Sequence, residues 1–346
     1  MKILLTGHLG YLGVCMFPRL AAAGHDVIGL DSDLYRGCSY GDQTLPDAGT
    51  VKDIRDITAQ DLSGIVAVIH LAGLSNDPLG DLNPGLTYEL NADATVRLAR
   101  LAKDAGVKRF VFASTCSVYG ASDEGWLTET SALNPVTPYA VSKLRAEEEL
   151  DALADADFSP VFMRSATAYG LSSKIRFDLV VNNLSAWGVA TGNVFLKSDG
   201  MAWRPVVHVE DIVRAFMKAL VADRDLVHRE IFNVGRNEDN LLVRDIATIV
   251  HETIPGSEIA FSETKSRDTR TYMVDCSKIR SIGFEPQWTV HRGVKQLVGA
   301  FQKYGIATSD FEGPRYQRVA HLQEAMADGL IDASLRRLEY AGTPDV

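Results

Sequence analysis

Short apolar runs alternate with longer stretches of helical periodicity along the first half of the chain. Short runs of this kind are typical of buried β-strands, and a 3.6-residue spacing of apolar positions indicates helices. Strands that alternate with helices imply right-handed crossovers and a parallel sheet. The predicted strands are Lys2–Thr6, His25–Asp31, Val66–Leu71 and Arg109–Ala113, and the predicted helices are Tyr11–Ala23, closed by Gly24, and Leu86–Ala105, closed by Gly106.

The second half of the chain is more mixed. Its predicted strands are Phe158–Arg164 and Glu230–Val234, and its predicted helices are Val209–Val221 and Val243–Ile254. Irregular stretches around 171–205 and 255–290 separate them. The pattern predicts an α/β fold, with a doubly wound parallel sheet over 1–170 and returning segments near 205–240. A smaller mixed α/β domain is predicted over 171–204 and 241–305, and a peripheral helical appendage over 306–346.

Composition narrows the possible partners and the compartment. The 346 residues carry 45 acids against 35 bases, a formal charge of −10, without a long basic run, so a nucleic-acid partner has no electrostatic basis. No apolar stretch is long enough to span a membrane, and the first residues are too short a run for a signal peptide. The four cysteines lie far apart without a CxxC pair, which predicts no metal site, no disulfide framework and a reducing cytoplasm.

A glycine-rich segment connects the first strand with the first helix. Gly7, Gly10 and Gly13 follow the pattern G-x-x-G-x-x-G, which allows a tight turn and lets a pyrophosphate approach the backbone at a helix N-terminus. At this position the segment predicts dinucleotide binding in a Rossmann-type domain. The predicted cofactor contacts are Gly7, Leu9, Gly10, Tyr11 and Leu12.

Acidic residues after the next two strands extend this prediction. Asp31 lies 18 residues after Gly13, where a carboxylate is expected to bind the ribose 2′-hydroxyl and to repel a 2′-phosphate, which favours NAD over NADP. Arg36 lies close by and leaves NADP open, and a strand-end aspartate that only makes a turn is the alternative for Asp31. Asp53 and Ile54 are predicted to meet the adenine, although an aspartate is also common in turns.

Tyr139 and Lys143 carry the candidate chemistry. Residues four apart share one face of a helix, so the phenol and the ammonium are expected to lie side by side. A neighbouring positive charge favours the phenolate, which would lower the pKa of Tyr139 and suit it to proton transfer near neutral pH. An isolated Tyr-x-x-x-Lys match is weak, and its meaning depends on the rest of the chain.

Read together, these motifs make the chain resemble the extended short-chain dehydrogenase/reductase family. It is most similar to the NAD-dependent nucleotide-sugar epimerases and dehydratases of that family. The likeness covers roughly residues 1–300 in consistent order. Its segments are the glycine loop, Asp31, His70-Leu-Ala-Gly73, Asn91, Ala113-Ser-Thr-Cys-Ser-Val-Tyr-Gly120, Pro138-Tyr-Ala-Val-Ser-Lys143, Asn182-Asn-Leu184 and Arg204-Pro-Val-Val-His-Val-Glu-Asp211.

The resemblance implies roles for individual residues. Tyr139 is the expected acid/base on a sugar oxygen, Lys143 the expected contact to the nicotinamide ribose, and Thr115 the expected hydroxyl partner of the reacting oxygen. Ser114 is the less favoured candidate for that hydroxyl. Further cofactor contacts are implied for Leu71, Ala72, Gly73 and Asn91, and substrate contacts for Ser75, Thr115, Cys116, Thr167, Asn183, Leu184, Arg204, Arg267 and Arg270.

Three positions depart from the pattern of the family. Cys116 and Ser117 stand where the 4,6-dehydratases carry Asp-Glu, which disfavours that elimination. The Cys116 thiol is either a small packed side chain or an acid/base, and in the 3,5-epimerases of the family the reactive cysteine aligns with Ser117 instead. Thr167 replaces an asparagine of many relatives and puts the identity of the sugar in doubt. For Arg204, Arg267 and Arg270, a surface ion pair is the alternative to a phosphate contact.

The resemblance therefore implies an enzyme that binds NAD and a nucleotide-diphosphate sugar and inverts C4 through a transient 4-keto intermediate. A reductase, dehydratase or decarboxylase on the same scaffold is the first alternative. A non-catalytic dinucleotide-binding protein is a remote one, because such a protein would be expected to lose Tyr139 or Lys143. The resemblance also implies a homodimer formed through the helix of Tyr139 and the helix near residues 86–105.

Overall fold

The computed structural model describes residues 1–42, 46, 49–75, 77–120, 125–262 and 271–338. The strands are β1 Lys2–Thr6, β2 Asp26–Asp31, β3 Gly49–Val51, β4 Ala67–His70, β5 Arg109–Thr115, β6 Trp126–Leu127, β7 Ser159–Ser165, β8 Thr167–Tyr169, β9 Asn193–Leu196, β10 Trp203–His208, β11 Ile231–Val234, β12 Asn240–Leu242, β13 Glu258–Phe261 and β14 Met273–Val274. The α-helices are α1 Gly13–Ala22, α2 Asp77–Leu82, α3 Pro84–Tyr88, α4 Ala94–Asp104, α5 Pro138–Ala152, α6 Val180–Thr191, α7 Val209–Val221, α8 Arg224–Val227, α9 Val243–Thr253, α10 Val290–Tyr304, α11 Thr308–Phe311 and α12 Arg318–Ala327.

Seven strands form one parallel sheet in the order β11-β7-β5-β4-β1-β2-β3. Every neighbouring pair in it is parallel, from Ile231 opposite Phe162 at one edge to Gly29 opposite Gly49 at the other. The order reverses direction between β1 and β4, which in a doubly wound sheet opens a crevice beyond the carboxyl ends of these strands. The predicted fold class is confirmed.

Alternate residues of the central strands bury against helices on both faces of the sheet. Leu4 of β1 belongs to the core that α4 and α5 cover, whereas its neighbours Ile3 and Leu5 belong to the core that α1 and α7 cover. Strands that are buried on both faces read as continuous apolar runs, which is why the sequence predicts them well. The two helical layers leave the ends of the strands as the open surface of the sheet.

The region around 171–205 corrects an expectation. It was predicted to be irregular, but it contains helix α6, and Gly192 in the left-handed conformation ends that helix. The helix lacks an amphipathic stripe, since its buried residues surround most of its circumference, and polar Asn182 and Ser185 are among them. A helix that is buried on most sides shows no clear period in the sequence. Helices α6, α9 and α10 share a separate core.

The predicted helix Leu86–Ala105 is interrupted. It begins earlier, at Pro84, where the Asn83 side chain accepts a hydrogen bond from the amide of Leu86, and a π-helical turn over Glu89–Asp93 separates α3 from α4. Short π-helical turns inside helices are frequent at functional sites. Asn91, a predicted cofactor contact, lies in this turn.

The C-terminal segment is helical in part, but it is not peripheral as predicted. Leu322 and Leu335 belong to the same buried cluster as Leu4 of the central sheet. Arg318 at the start of α12 is only 4% exposed. Spacing did not reveal this, because the apolar residues of the segment are not arranged in a long stripe.

A buried ion pair joins helix α5 to the sheet. The guanidinium of Arg164 on β7 donates from Nη2 and Nε to the carboxylate of Glu147 on α5, with Nη2–Oε2 at 2.6 Å. Ser114 at the end of β5 donates to the same carboxylate. Both charged side chains are almost fully buried, at 2% and 5% exposure. Buried ions of this kind depend on each other, because a lone partner would be left without compensation.

We therefore expect Glu147→Ala to lower the free energy of unfolding by about 3 kcal/mol, since it leaves the Arg164 guanidinium buried and unpaired. Urea unfolding followed by circular dichroism measures the change. Glu149→Ala is the matched control on the same helix, because Glu149 forms an exposed i,i+4 pair with Arg145 and should cost less than about 1 kcal/mol. Equal losses for the two variants would contradict the importance of the buried pair.

Candidate active site

A cleft of about 510 Å³ opens beyond the carboxyl ends of β1, β2, β4 and β5. This is where the crevice of a doubly wound sheet binds ligands. Residues predicted from separate parts of the sequence meet here. Those that line it are Gly7, Leu9, Gly10, Tyr11, Leu12, Asp31, Asp53, Ile54, Leu71, Ala72, Gly73, Ser75, Thr115, Tyr139, Lys143, Thr167 and Arg204. Their individual roles stay predictions.

The glycine loop packs too closely for side chains at two of its glycines. A Cβ at Gly13 would lie 2.1 Å from the carbonyl oxygen of Gly7, so the start of α1 can approach the loop only without a side chain there. Gly7 has a φ of 76°, and a Cβ on it would lie 2.8 Å from the amide nitrogen of Ala72. The glycines therefore bring the loop, the start of α1 and the end of β4 together.

The N-terminus of α1 fits a pyrophosphate. Leu12 precedes the helix without a side-chain cap, and the first turn contains no acid. The positive dipole of a helix N-terminus attracts an anion, and here no acidic side chain of the first turn opposes it. The residues of the loop thus suit a dinucleotide.

Asp31 connects the glycine loop to the loop after β2. Its carboxylate accepts from the amide of Leu9 at 2.9 Å and from the amide of Asp33 at 2.8 Å. Burial raises the pKa of Asp31, and these two hydrogen bonds oppose the shift. Arg36, which kept NADP open, is exposed and paired with Asp33 at 2.7 Å, and it does not line the cleft.

Asp53 lines the cleft, but its carboxylate has another partner. It accepts from the backbone and the guanidinium of Arg55, with the shortest contact at 2.6 Å to Nη2. The side chain of Asp53 therefore stabilises a turn, which was the alternative to a contact with the adenine. Neighbouring Ile54 contributes an apolar surface to the same wall.

Asn91 does not line the cleft, contrary to its predicted cofactor contact. It is fully buried, and it accepts from the amide of Leu74 at 2.8 Å while it donates to the Leu74 carbonyl at 3.0 Å and to Ser142 at 3.1 Å. A Cβ on Gly73 would lie 2.7 Å from its amide oxygen. Asn91 thus holds the loop after β4 in place and acts on the cleft from behind it.

Tyr139 and Lys143 lie one turn apart on α5, and both face the cleft. The predicted lowering of the tyrosine pKa is wrong in this structure. Burial raises the pKa of Tyr139 to about 12, while the Thr115 hydroxyl and the more distant charge of Arg176 work in the opposite direction. Burial outweighs both because the walls of the cleft limit the solvation of a phenolate.

Lys143 is held at the end of β5. Its ammonium donates to the carbonyl of Ala113 at 2.9 Å and lies 4.8 Å from the centroid of the Phe112 ring. Burial lowers the pKa of Lys143 to about 8, and Glu147 opposes that change. The phenol and the amine therefore both shift towards their neutral forms.

The two hydroxyls at the end of β5 have different surroundings. Thr115 accepts from the amide of Ser117 at 3.1 Å and faces Tyr139. Ser114 instead donates to Glu147 behind the cleft. This geometry agrees with the choice of Thr115 over Ser114 as the partner of the reacting oxygen.

The substrate contact predicted for Cys116 is contradicted by the structure. Its thiol is 1% exposed, lies 3.2 Å from the carbonyl oxygen of Arg164 and does not line the cleft. Burial raises the pKa of the thiol far above its ordinary value. Cys116 is therefore a small packed side chain, which was one of the two possibilities left open by the sequence.

The residues predicted to contact the substrate line the cleft only in part. Thr167 on β8 and Arg204 on β10 line it, as does Ser75. Asn183 and Leu184 are not among the lining residues. Leu184 is buried, which corrects its predicted contact, whereas the contact predicted for Asn183 stays a prediction. Both lie on α6, where the amide of Asn183 donates to Glu312 at 3.2 Å and Leu184 packs in the core of that half. Arg267 and Arg270 lie outside the described residues.

Sequence reasoning missed two arginines of the cleft, Arg176 and Arg318. Arg176 binds Asp178 with Nη2–Oδ2 at 2.5 Å and donates to the Ser75 hydroxyl at 3.0 Å. The sequence could have revealed Arg176, because Arg176 and Asp178 are two opposite charges within the apolar stretch 175–181. For Arg318 the sequence offers no such signal, because only tertiary packing buries it.

Known proteins match the chain over most of its length. The model of the "NAD dependent epimerase/dehydratase family" matches residues 3–235. The UDP-glucose 4-epimerase of Mycolicibacterium smegmatis is 28% identical, with 87% of this chain and 99% of that protein covered. UDP-glucuronic acid decarboxylase 4 of Arabidopsis thaliana is 26% identical, with 88% and 69% covered.

A solved structure also resembles the fold. MoeE5 in complex with UDP-glucose and NAD superimposes with a TM-score of 0.75 at 27% identity, covering 88% of this chain and 99% of that one. The family predicted from the sequence and its NAD cofactor are thereby confirmed. The chain belongs to the NAD-dependent epimerase/dehydratase family.

Proposed function

We propose that this protein is an NAD-dependent epimerase that inverts C4 of a nucleotide-diphosphate sugar, with a UDP-sugar as the first substrate to test. One observation supports the proposal above all others. Thr115, Tyr139 and Lys143 line the same cleft as the glycine loop, and the helix that follows this loop has no side-chain cap. The similarity to the UDP-glucose 4-epimerase of M. smegmatis supports the reaction. Bound NAD supplies a hydride acceptor that is restored in each cycle.

Tyr139 is the proposed proton acceptor and donor. Its phenol oxygen takes the proton of the C4 hydroxyl as the sugar is oxidised, and it returns a proton when the keto sugar is reduced on its opposite face. The Thr115 hydroxyl, which already favours the ionised phenol, is the proposed second partner of the reacting oxygen. Two such partners stabilise the charge that develops on that oxygen.

Lys143 is proposed to fix the orientation of the cofactor ribose. Its contact with the Ala113 carbonyl leaves further ammonium protons that can bind hydroxyls. The side chain is 4% exposed, so its position is well determined by its neighbours. Asp31 is proposed for the other ribose, at the opposite end of the glycine loop.

The substrate half is proposed to comprise 171–204 and 241–305, packed beside the cofactor domain of 1–170 and 205–240. Thr167, Ser75 and Arg204 are the proposed contacts to the sugar and the diphosphate, because they line the cleft on that side. The planar fork of an arginine suits phosphate oxygens. Arg267 and Arg270 stay candidates from the sequence.

A decarboxylase is the second candidate, and the A. thaliana relative is the observation that favours it. The two reactions differ in their products, since decarboxylation releases carbon dioxide and epimerisation conserves the mass of the substrate.

A homodimer and a cytoplasmic location complete the proposal, and the four free cysteines support that location. Within the described residues, no helix combines the length and apolarity of a membrane span.

Replacement of Tyr139 by phenylalanine tests the central role. We expect Tyr139→Phe to lower kcat for UDP-glucose and UDP-galactose interconversion by about 10²- to 10⁴-fold, because the proton transfer loses its group. Product analysis by NMR also detects decarboxylation of UDP-glucuronate. Tyr169→Phe is the control, since the buried Tyr169 hydroxyl has no hydrogen-bond partner in the described structure. Full activity of Tyr139→Phe would refute the assignment.

The pH dependence tests the partnership of Thr115 with Tyr139. Thr115 lowers the pKa of a phenol that acts as a base only when ionised, so its removal should raise that pKa. We expect the ascending limb of the kcat/KM profile to move to higher pH in Thr115→Val, with a loss of about 10²-fold at neutral pH. Thr115→Ser keeps the hydroxyl and should restore the profile. An unshifted limb in Thr115→Val would argue against the partnership.

A further inference from the structure

Helix α2 brings a carboxylate to the helix that carries Tyr139. Asp77, the first residue of α2, is partly buried and lines the same cleft as Tyr139. Its Oδ1 accepts from the hydroxyl of Thr137 at 2.5 Å. The same hydroxyl is the N-cap of α5 and accepts from the amide of Ala140 at 3.2 Å. Asp77 is therefore bonded to the residue at which the helix of Tyr139 begins.

Backbone contacts hold α2 and α5 close together at Tyr139. A Cβ on Gly80 of α2 would lie 3.1 Å from both the Cβ and the amide nitrogen of Tyr139, so no side chain separates the two helices there. One turn further along α5, Ser142 donates to the Tyr139 carbonyl at 2.7 Å and accepts from Asn91 at 3.1 Å. Asn91 in turn holds the loop after β4. This loop and α2 therefore fix α5 on both sides of Tyr139.

Polar and titratable groups from four parts of the chain lie around Tyr139. They are Asp77 of α2, Thr115 and Cys116 at the end of β5, Lys143 of α5 and Arg176 after β8. Burial raises the pKa of the phenol most, and Asp77 raises it further because a carboxylate and a phenolate repel each other. Thr115 and Arg176 lower this pKa. Burial raises the pKa of the Cys116 thiol far above its ordinary value, so the thiol adds no charge. Asp77 therefore balances the groups that favour the phenolate.

We propose that Asp77 is a positioning residue for Tyr139, which fixes the start of α5 through Thr137 and places a negative charge beside the proton that Tyr139 exchanges with the sugar. The inference rests on the proposed function, because it assigns Asp77 a part in the proton transfer of Tyr139. Epimerisation uses both forms of the phenol, since the phenolate accepts a proton in the oxidation and the phenol returns one in the reduction. Asp77 favours the second form.

The variant Asp77→Asn tests the charge on its own, because it keeps an oxygen that can accept from Thr137. We expect the ascending limb of its kcat/KM profile for UDP-glucose to move to lower pH by roughly one unit, since the phenolate forms more easily without the carboxylate. This direction is opposite to the one expected for Thr115→Val. Asp81→Asn is the matched control, an exposed acid of the same helix outside the cleft, and it should leave the limb in place.

Variants of Thr137 test the position of α5 separately from the charge. Thr137→Val lacks the hydroxyl that binds both Asp77 and the amide of Ala140. We expect its kcat to fall roughly 10- to 10²-fold, because a small displacement of Tyr139 weakens the proton transfer, and its limb should not move to lower pH. Thr137→Ser keeps the hydroxyl and should retain the activity. A loss of kcat in Asp77→Asn with an unmoved limb would show a merely structural carboxylate and overturn the proposal.

Titration of Tyr139 itself separates this inference from the proposed function, because it needs no turnover. In protein labelled with ¹³C at the tyrosine ring, the Tyr139 signal is identified by its absence in Tyr139→Phe, and its pH dependence is followed by NMR. We expect the titration midpoint to lie roughly one pH unit lower in Asp77→Asn than in the wild type. An unchanged midpoint would overturn the inference and leave the proposed function intact. A lowered midpoint in a protein that converts no UDP-sugar would support the action of Asp77 on Tyr139 and refute the proposed epimerisation.

Discussion

The ion pair between Glu147 and Arg164 fixes the helix on which the proposed chemistry depends. Tyr139, Lys143 and Glu147 are spaced four residues apart, so they form one stripe along α5 that faces the sheet. Glu147 anchors the far end of this stripe to β5 through Ser114 and to β7 through Arg164. The rotation and height of α5 are therefore set behind the cleft, and the phenol and the amine reach it in a defined place.

The glycine loop imposes the complementary constraint on the cofactor side. Because Gly13 approaches the carbonyl of Gly7, α1 begins directly against the loop and its N-terminus lies beside the cleft. Asp31 then connects the loop to the next strand through the amide of Leu9. The two ends of the cleft are thus built by independent local requirements, and the parallel sheet holds them at a fixed separation.

The sequence predicted most of this arrangement where a local rule governed it. Buried parallel strands are apolar along their whole length, and the glycine loop has a fixed place after β1, so both could be located without a structure. Helix α6 was missed because its burial on most sides removes the period that reveals a helix. Leu184 and Cys116 were placed in the site by resemblance, yet both side chains are buried outside the cleft. Arg318 lies far from the cofactor motifs in the chain, and only tertiary contacts bring it to them.

The electrostatics of the cleft follow from burial more than from any single neighbour. Burial raises the pKa of Tyr139 to about 12 and lowers the pKa of Lys143 to about 8, so the same walls oppose an anion on one group and a cation on the other. The sequence suggested a phenolate created by the adjacent lysine alone. In the structure the lysine amine is directed to the Ala113 carbonyl, and the groups that favour phenolate are Thr115 and Arg176. The proposed reactivity of Tyr139 therefore depends on the whole cleft, because the two groups that favour its ionised form come from β5 and from the segment after β8.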